Sequence, residues 1–166
     1  MRFVTALCAL LLMPLACLAA DQSKPDGEVV LTIRGLIANT NDGDSLIFDR
    51  SMLEALPATS FETETNWTEG KRTFTGVQLS DLIPVVGVSG TLLLATALND
   101  YTVEIPVSDA KPGGPIIAYA IDGEPMSVRG KGPLWIVYPY DSSAEYRTET
   151  IYARSIWQLD RIEVVE

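Results

Sequence analysis

From Glu28 onward the chain is a succession of short apolar, β-rich runs, each cut off by glycine, proline or an Asn/Asp turn, and this punctuation constrains the fold most. Glu28 to Gly35 alternates in part and ends on glycine, which predicts a strand. Ser45 to Phe48 predicts a second. Ser51-Met52-Leu53-Glu54 has the spacing in which hydroxyl and carboxylate satisfy each other's backbone donors, so a short helix is expected from Ser51 to Leu56, stopping before Pro57. Ala58 to Trp67 predicts a strand with one wet face, and Glu69 to Arg72 a turn. Leu79, Leu82 and Ile83 lie at helical spacing, with Ser80 as the expected cap and Gly87 and Gly90 as the stop. Thr91 to Leu98 and Tyr101 to Ile105 form an expected hairpin about Asn99-Asp100. Ile116 to Ile121 enters a second at Asp122-Gly123, a pair that tolerates positive φ. Leu134 to Tyr138 and Arg161 to Val165 complete the strands, and the polar, aromatic stretch Pro139 to Thr150 is expected as a mobile loop over a site. The sum is one α+β domain, mostly β with short helices, over residues 28–166.

The first twenty residues are read separately. Arg2 precedes an apolar run from Phe3 to Leu18 that ends in small residues, the pattern of a secretory signal peptide too short to span a bilayer. Residues 21–27 are polar and expected to be a flexible lead-in. Leu15-Ala16-Cys17 also resembles a lipoprotein signal, with Pro14 where an aliphatic residue is usual, so lipid anchoring at Cys17 stands as the alternative.

Both cysteines of the 166-residue chain, Cys8 and Cys17, fall inside that leader, and there is no histidine. The mature domain therefore has no thiol nucleophile, no disulfide, no Ser-His-Asp system and no histidine-bearing zinc site. With 22 acids against 12 bases, nucleic acid is excluded as a partner, because phosphate binding needs clustered bases. With 47% hydrophobic residues the chain can bury a core. The acids show no calcium-loop spacing and read as solvated surface.

Three clusters can carry chemistry. In Glu62-Thr63-Glu64-Thr65-Asn66-Trp67, an indole stands beside hydroxyl and amide groups and can stack on a flat ligand while its neighbours bond the ligand's edge. A rim tryptophan of the core is the structural alternative. Arg129-Gly130-Lys131-Gly132 sets two bases apart by glycine and can form a local anion pocket, or simply a charged turn. Trp135, inside an apolar run, reads as core. Tyr152-Ala153-Arg154-Ser155-Ile156-Trp157 pairs arginine with serine, which suits a phosphate or carboxylate; an exposed salt bridge is the bland alternative.

Taken in order, Phe74-Thr75-Gly76-Val77-Gln78-Leu79-Ser80-Asp81-Leu82, Ala97-Leu98-Asn99-Asp100-Tyr101, Asp122-Gly123-Glu124-Pro125-Met126, Gly132-Pro133-Leu134-Trp135 and Ala153-Arg154-Ser155 resemble the sulfite-oxidase-type molybdopterin-binding fold. The resemblance implies a mixed β domain whose cleft holds a pterin cofactor, its phosphate meeting Arg154 and Ser155. It also exposes two departures. The family's enzymes hold molybdenum through a cysteine on the strand before the F-T-G-V segment, where this chain has Phe61 to Thr65, and neither Glu64 nor Thr65 replaces a thiolate. They also tend to carry lysine at the place of Trp157.

The chain is therefore similar to the small exported pterin-binding proteins that share this fold. That likeness implies a non-catalytic periplasmic sensor, loaded with a reduced pterin and no molybdenum. Its implied partner is the periplasmic domain of an inner-membrane enzyme that makes or degrades cyclic di-GMP. A carboxylate from Glu62, Glu64 or Asp100 is expected to read the pterin's 2-amino-4-oxo edge. Trp67, Tyr101 and Trp157 would stack on its rings, and Arg129, Lys131 and Arg154 would hold its oxygens. The alternatives are a molybdopterin oxidoreductase with a non-cysteine metal site, and an adaptor with an empty cleft.

Overall fold

The computed structural model describes residues 23–166, so the expected leader, its cleavage region and Cys17 lie outside the described residues. Strands β1 (Val29–Gly35) and β2 (Leu46–Asp49) form an antiparallel pair, and helix α1 (Arg50–Glu54) follows directly. Next come β3 (Ala58–Glu64), β4 (Lys71–Gln78) and helix α2 (Leu79–Val86). The hairpin of β5 (Leu92–Ala97) and β6 (Thr102–Pro106) and that of β7 (Ile116–Ile121) and β8 (Glu124–Pro125) form where the turn residues predict them. The chain ends with β9 (Trp135–Val137), helix α3 (Glu149–Arg154), β10 (Ile156–Trp157) and β11 (Leu159–Val165).

The strands make two sheets. One has the order β2-β1-β11-β5-β6; the other runs β10-β9-β7-β4-β3, with β8 beside β7. Among the described residues only β1 and β11 pair in parallel. In the first sheet alternation decides the faces: Leu31, Ile33, Val103, Ile105, Ile162 and Val164 turn inward. In the second, Ile116 to Ala120 of β7 is buried throughout, the signature of a strand covered on both sides. These faces join in a single core with Leu79, Leu82 and Val86 of α2. No helix among the described residues is long and apolar enough to cross a membrane.

Four expectations are corrected. Lys71 and Arg72 belong to β4 rather than to a turn, because β3 pairs with them through Glu64 and Thr63. Ser80 does not cap α2: the helix begins two residues earlier than that cap implies, at Leu79, whose N–H goes to the Pro115 carbonyl at 3.0 Å, and the Ser80 hydroxyl is buried without a partner. Pro139 to Thr150 is a strap rather than a loop over a site. Its Asp141 N–H donates to Thr63 Oγ1 at 3.1 Å, and its Asp141 carboxylate accepts from the Glu64 N–H and pairs with Lys71. Ser51 does not cap α1 either.

Asp49 takes that place. Its Oδ1 accepts from the Met52 N–H and the Ser51 hydroxyl, and its Oδ2 from the Gly27 N–H at 2.8 Å. The same bond ties down the lead-in, as do the Lys24–Asp42 ion pair and the Asn41 amide on the Ser23 carbonyl. The Ser51 hydroxyl first, then the Met52 and Gly27 N–H groups, lower the Asp49 pKa from 3.8 to about 2. A depressed carboxylate stabilises the fold above its unfolded value and loses that contribution as pH falls from 3.8 towards 2. Asp49→Asn, which keeps an acceptor for the cap but cannot titrate, is expected to flatten the loss of stability across that window. Urea midpoints measured from pH 6 down to pH 2 check it.

Candidate functional site

The site is built where three connections meet. Helix α3 is capped by Thr148, whose hydroxyl accepts from the Ile151 N–H, and runs into β10, which registers Ile156 on Ile136 and Trp157 on Trp135. Gln158 then adopts φ 54°, a left-handed backbone that few side chains favour, and turns the chain into β11. Its N–H donates to the Lys131 carbonyl at 3.0 Å and its carbonyl accepts from Leu98 N–H at 2.9 Å. Its side-chain amide also donates to the Val128 carbonyl at 2.7 Å. One residue thus joins the β5–β6 turn to the Val128–Gly130 turn.

Beside this junction opens a cleft of about 480 Å³, within the ordinary range of small-molecule sites. Trp67, Tyr101, Tyr152 and Trp157 give it aromatic walls; Asn99, Ser155 and Gln158 are its polar side chains, with Ala97, Ala153 and Ile156 between them. Trp67 is the hub of the aromatic floor, packed edge-on against Trp135, Tyr140, Tyr152 and Trp157 at centroid distances of 5.6 to 6.4 Å. Edge-to-face packing of this kind holds ring orientations as well as burying area.

The structure brings four of the expected ligand residues together, Trp67, Tyr101, Ser155 and Trp157. The others lie elsewhere. Glu62, Glu64 and Asn66 are exposed along and just beyond β3. Thr65 is buried, its hydroxyl bonded to Thr68 and to the Trp67 N–H, so it shapes the turn that presents Trp67. The Asp100 carboxylate turns to Arg161. Arg129 is exposed on the Val128–Gly130 turn. Lys131 lies outside the lining, with its ammonium 4.3 Å from the Trp157 ring centroid. No carboxylate lines the cleft; its side-chain amides are those of Asn99 and Gln158.

Arg154 is the largest correction. Its Nη1 lies 2.8 Å from Asp109 Oδ2, and the Tyr138 hydroxyl donates to the same oxygen at 2.8 Å. Burial foremost, and then the Asp109 charge, raises the Tyr138 pKa and keeps the phenol a donor. The guanidinium therefore ties α3 to the Val107–Asp109 turn instead of entering the cleft. Ser155 is engaged as well. Its hydroxyl donates to the Ile151 carbonyl at 3.1 Å, which leaves the Tyr140 hydroxyl, 2.5 Å away, as the donor to Ser155. Burial raises the Tyr140 pKa in turn.

Sequence reasoning missed Asn99, Tyr152 and Gln158. Asn99 and Tyr152 stood inside the singled-out segments but beside charged residues that drew the reading. Gln158 offered no signal, since its role comes from a backbone angle. Trp135 is fully buried, with its indole N–H unpartnered. Among the described residues no group of three or more His, Cys, Asp or Glu converges as a metal site.

The family model for the oxidoreductase molybdopterin binding domain matches residues 50–164. Among solved structures, the sulfane dehydrogenase SoxCD from Paracoccus pantotrophus superposes with a TM-score of 0.60 and 19% identity, over 81% of this chain and 37% of that one. The chain thus spans little more than a third of that protein's length, and the likeness is one of fold. No curated protein matches the sequence.

Proposed function

The chain belongs to the oxidoreductase molybdopterin-binding domain family, and from that premise we propose that its cleft binds a pterin without molybdenum and without redox turnover. The observation that carries this reading is an indole-walled cleft beside an arginine-serine pair already engaged within the protein. A flat bicyclic ring suits the walls of Trp67, Tyr101, Tyr152 and Trp157, where stacking on one aromatic side chain contributes roughly 1–3 kcal/mol. Its amide-like edge suits the Asn99 Nδ2 donor and the Gln158 Oε1 acceptor, since Gln158 Nε2 donates to the Val128 carbonyl and Asn99 Oδ1 accepts from the Tyr101 N–H.

The rest of the family's cofactor fits poorly. A phosphate would need Arg154 to leave Asp109 and Ser155 to leave Tyr140 and Ile151, exposing buried polar groups. Molybdenum would need a thiolate, and both cysteines precede residue 21. Glu64 and Thr65 offer no substitute, one exposed and one bonded into its own turn.

The finer role rests on the chain's resemblance to the small exported pterin-binding proteins. In this reading the exported domain works in the periplasm as a ligand-loaded sensor, and its partner is the periplasmic domain of an inner-membrane cyclic di-GMP enzyme. The ligand reading is tested by titrating the purified protein with a panel of oxidised and reduced pterins, following heat of binding. Saturable binding at one site is the expected result. Molybdenum near one equivalent in protein purified from its native host would overturn the reading in favour of an oxidoreductase. Failure to bind any pterin would favour an adaptor.

A further inference from the structure

We propose that the rim formed by Leu98, Tyr101 and Val128, with Arg129 and Lys131 beside it, is a docking surface for a second protein that presents an acidic segment bearing apolar side chains. The proposal goes beyond the pterin reading and does not depend on what fills the cleft. Five large apolar residues are exposed among the described residues. Three of them, Leu98 at 47%, Tyr101 at 59% and Val128 at 51%, belong to the two turns that Gln158 joins. The other two are apart: Val29 begins β1 and Leu36 follows its end.

The surface is braced before any partner arrives. Gln158 holds Leu98 through its carbonyl, Lys131 through its N–H and Val128 through its side-chain amide. The Ser127 carbonyl accepts from the Gly130 and Gly132 N–H groups, both at 2.8 Å. Turns fixed in this way lose little conformational freedom on association. Exposed apolar side chains gathered beside polar ones mark contact sites, and tyrosine and arginine are residue types that such sites favour.

Charge selects the partner. The chain has 22 acids and 12 bases, yet neither Arg129 nor Lys131 makes an ion pair among the described residues. The one acid of turn 98–101, Asp100, is held by Arg161. At physiological ionic strength, charges more than about 8 Å apart are largely screened, so a short acidic segment meets these two bases without the rest of the domain. An anionic bilayer, a nucleic acid or a second copy of this chain is broad enough to meet the surrounding acids as well, and is repelled.

The photo-reactive residue p-benzoylphenylalanine, placed at Val128 or, as a control, at the exposed Glu104 of β6, tests this in the full-length chain in its native host, with cross-linked peptides sequenced by mass spectrometry. Val128 is expected to capture another protein at a segment with acidic residues beside apolar ones, and Glu104 is not. Arg129→Glu and Lys131→Asn should each lower the yield about fivefold or more, and Arg129→Lys should retain it. Asparagine tolerates the φ of 74° at Lys131, and a thermal melt checks that each variant folds. The proposal is overturned by no capture from Val128, by capture of a second copy of this chain, of lipid or of nucleic acid, by a captured segment without acids, or by a yield indifferent to Arg129→Glu in the folded protein. Capture of a protein unrelated to cyclic di-GMP at such an acidic segment sustains the surface and removes only the cyclic di-GMP enzyme as partner.

Discussion

Replacing Trp157 with alanine is expected to weaken pterin binding by about one to two orders of magnitude while leaving the domain folded. Stacking of a heteroaromatic ring on one aromatic side chain contributes roughly 1–3 kcal/mol, and each 1.4 kcal/mol is about tenfold in affinity. The fold should survive because Trp157 ends a two-residue strand at the edge of its sheet, half-buried, and the backbone pairing of β10 with β9 does not need the indole. Trp135, by contrast, is fully buried at the register position opposite, and its truncation would cost about 3–5 kcal/mol of stability. Trp157→Phe should retain part of the affinity. Calorimetric titration beside a thermal melt separates the two effects. An unchanged affinity in a folded Trp157→Ala protein would remove this ring from the site.

The aromatic half of the site is legible in the sequence and the charged half is not. Trp67, Tyr101 and Trp157 stand out because large rings amid polar neighbours at strand ends have few reasons to be there, and the cleft collects all three. Arg154 and Asp100 stand out equally as charges, but a charge in a sequence has no direction. Asp109 lies 45 residues before Arg154 and Arg161 lies 61 after Asp100, and those distant partners decide where each side chain points. The same division runs through the fold. The β5–β6 and Asp122-Gly123 hairpins and the Gly87 stop of α2 are local and form as read. Asp49 displaces Ser51 as a cap because its second oxygen finds Gly27, 22 residues away. Strand β4 escapes local reading for a related reason: Lys71 and Arg72 look like a turn until β3 supplies a partner for each residue from Lys71 to Val77.

That overlooked strand carries a sensitive backbone position, and Gly76→Ala is expected to destabilise the domain by roughly 3 kcal/mol or more. Gly76 sits where the register of β4 against β7 shifts between Thr75 and Gly76. A Cβ built there would stand 2.1 Å from the Ile117 carbonyl oxygen and 2.6 Å from the Ala118 Cα. Both are backbone atoms of the buried centre of β7, so relief requires the two strands to separate rather than a side chain to rotate. Separation would break ladder hydrogen bonds between β4 and β7 in the interior, where water cannot replace them. Gly123→Ala is the control. Its added Cβ meets nothing within 4 Å, so only its φ of 82° resists the change, at about 1–2 kcal/mol. Urea midpoints should therefore fall much further for Gly76→Ala than for Gly123→Ala. The reverse order would mean that β4 yields easily, and that the β3–β4 edge which presents Trp67 to the cleft is a soft element of the site.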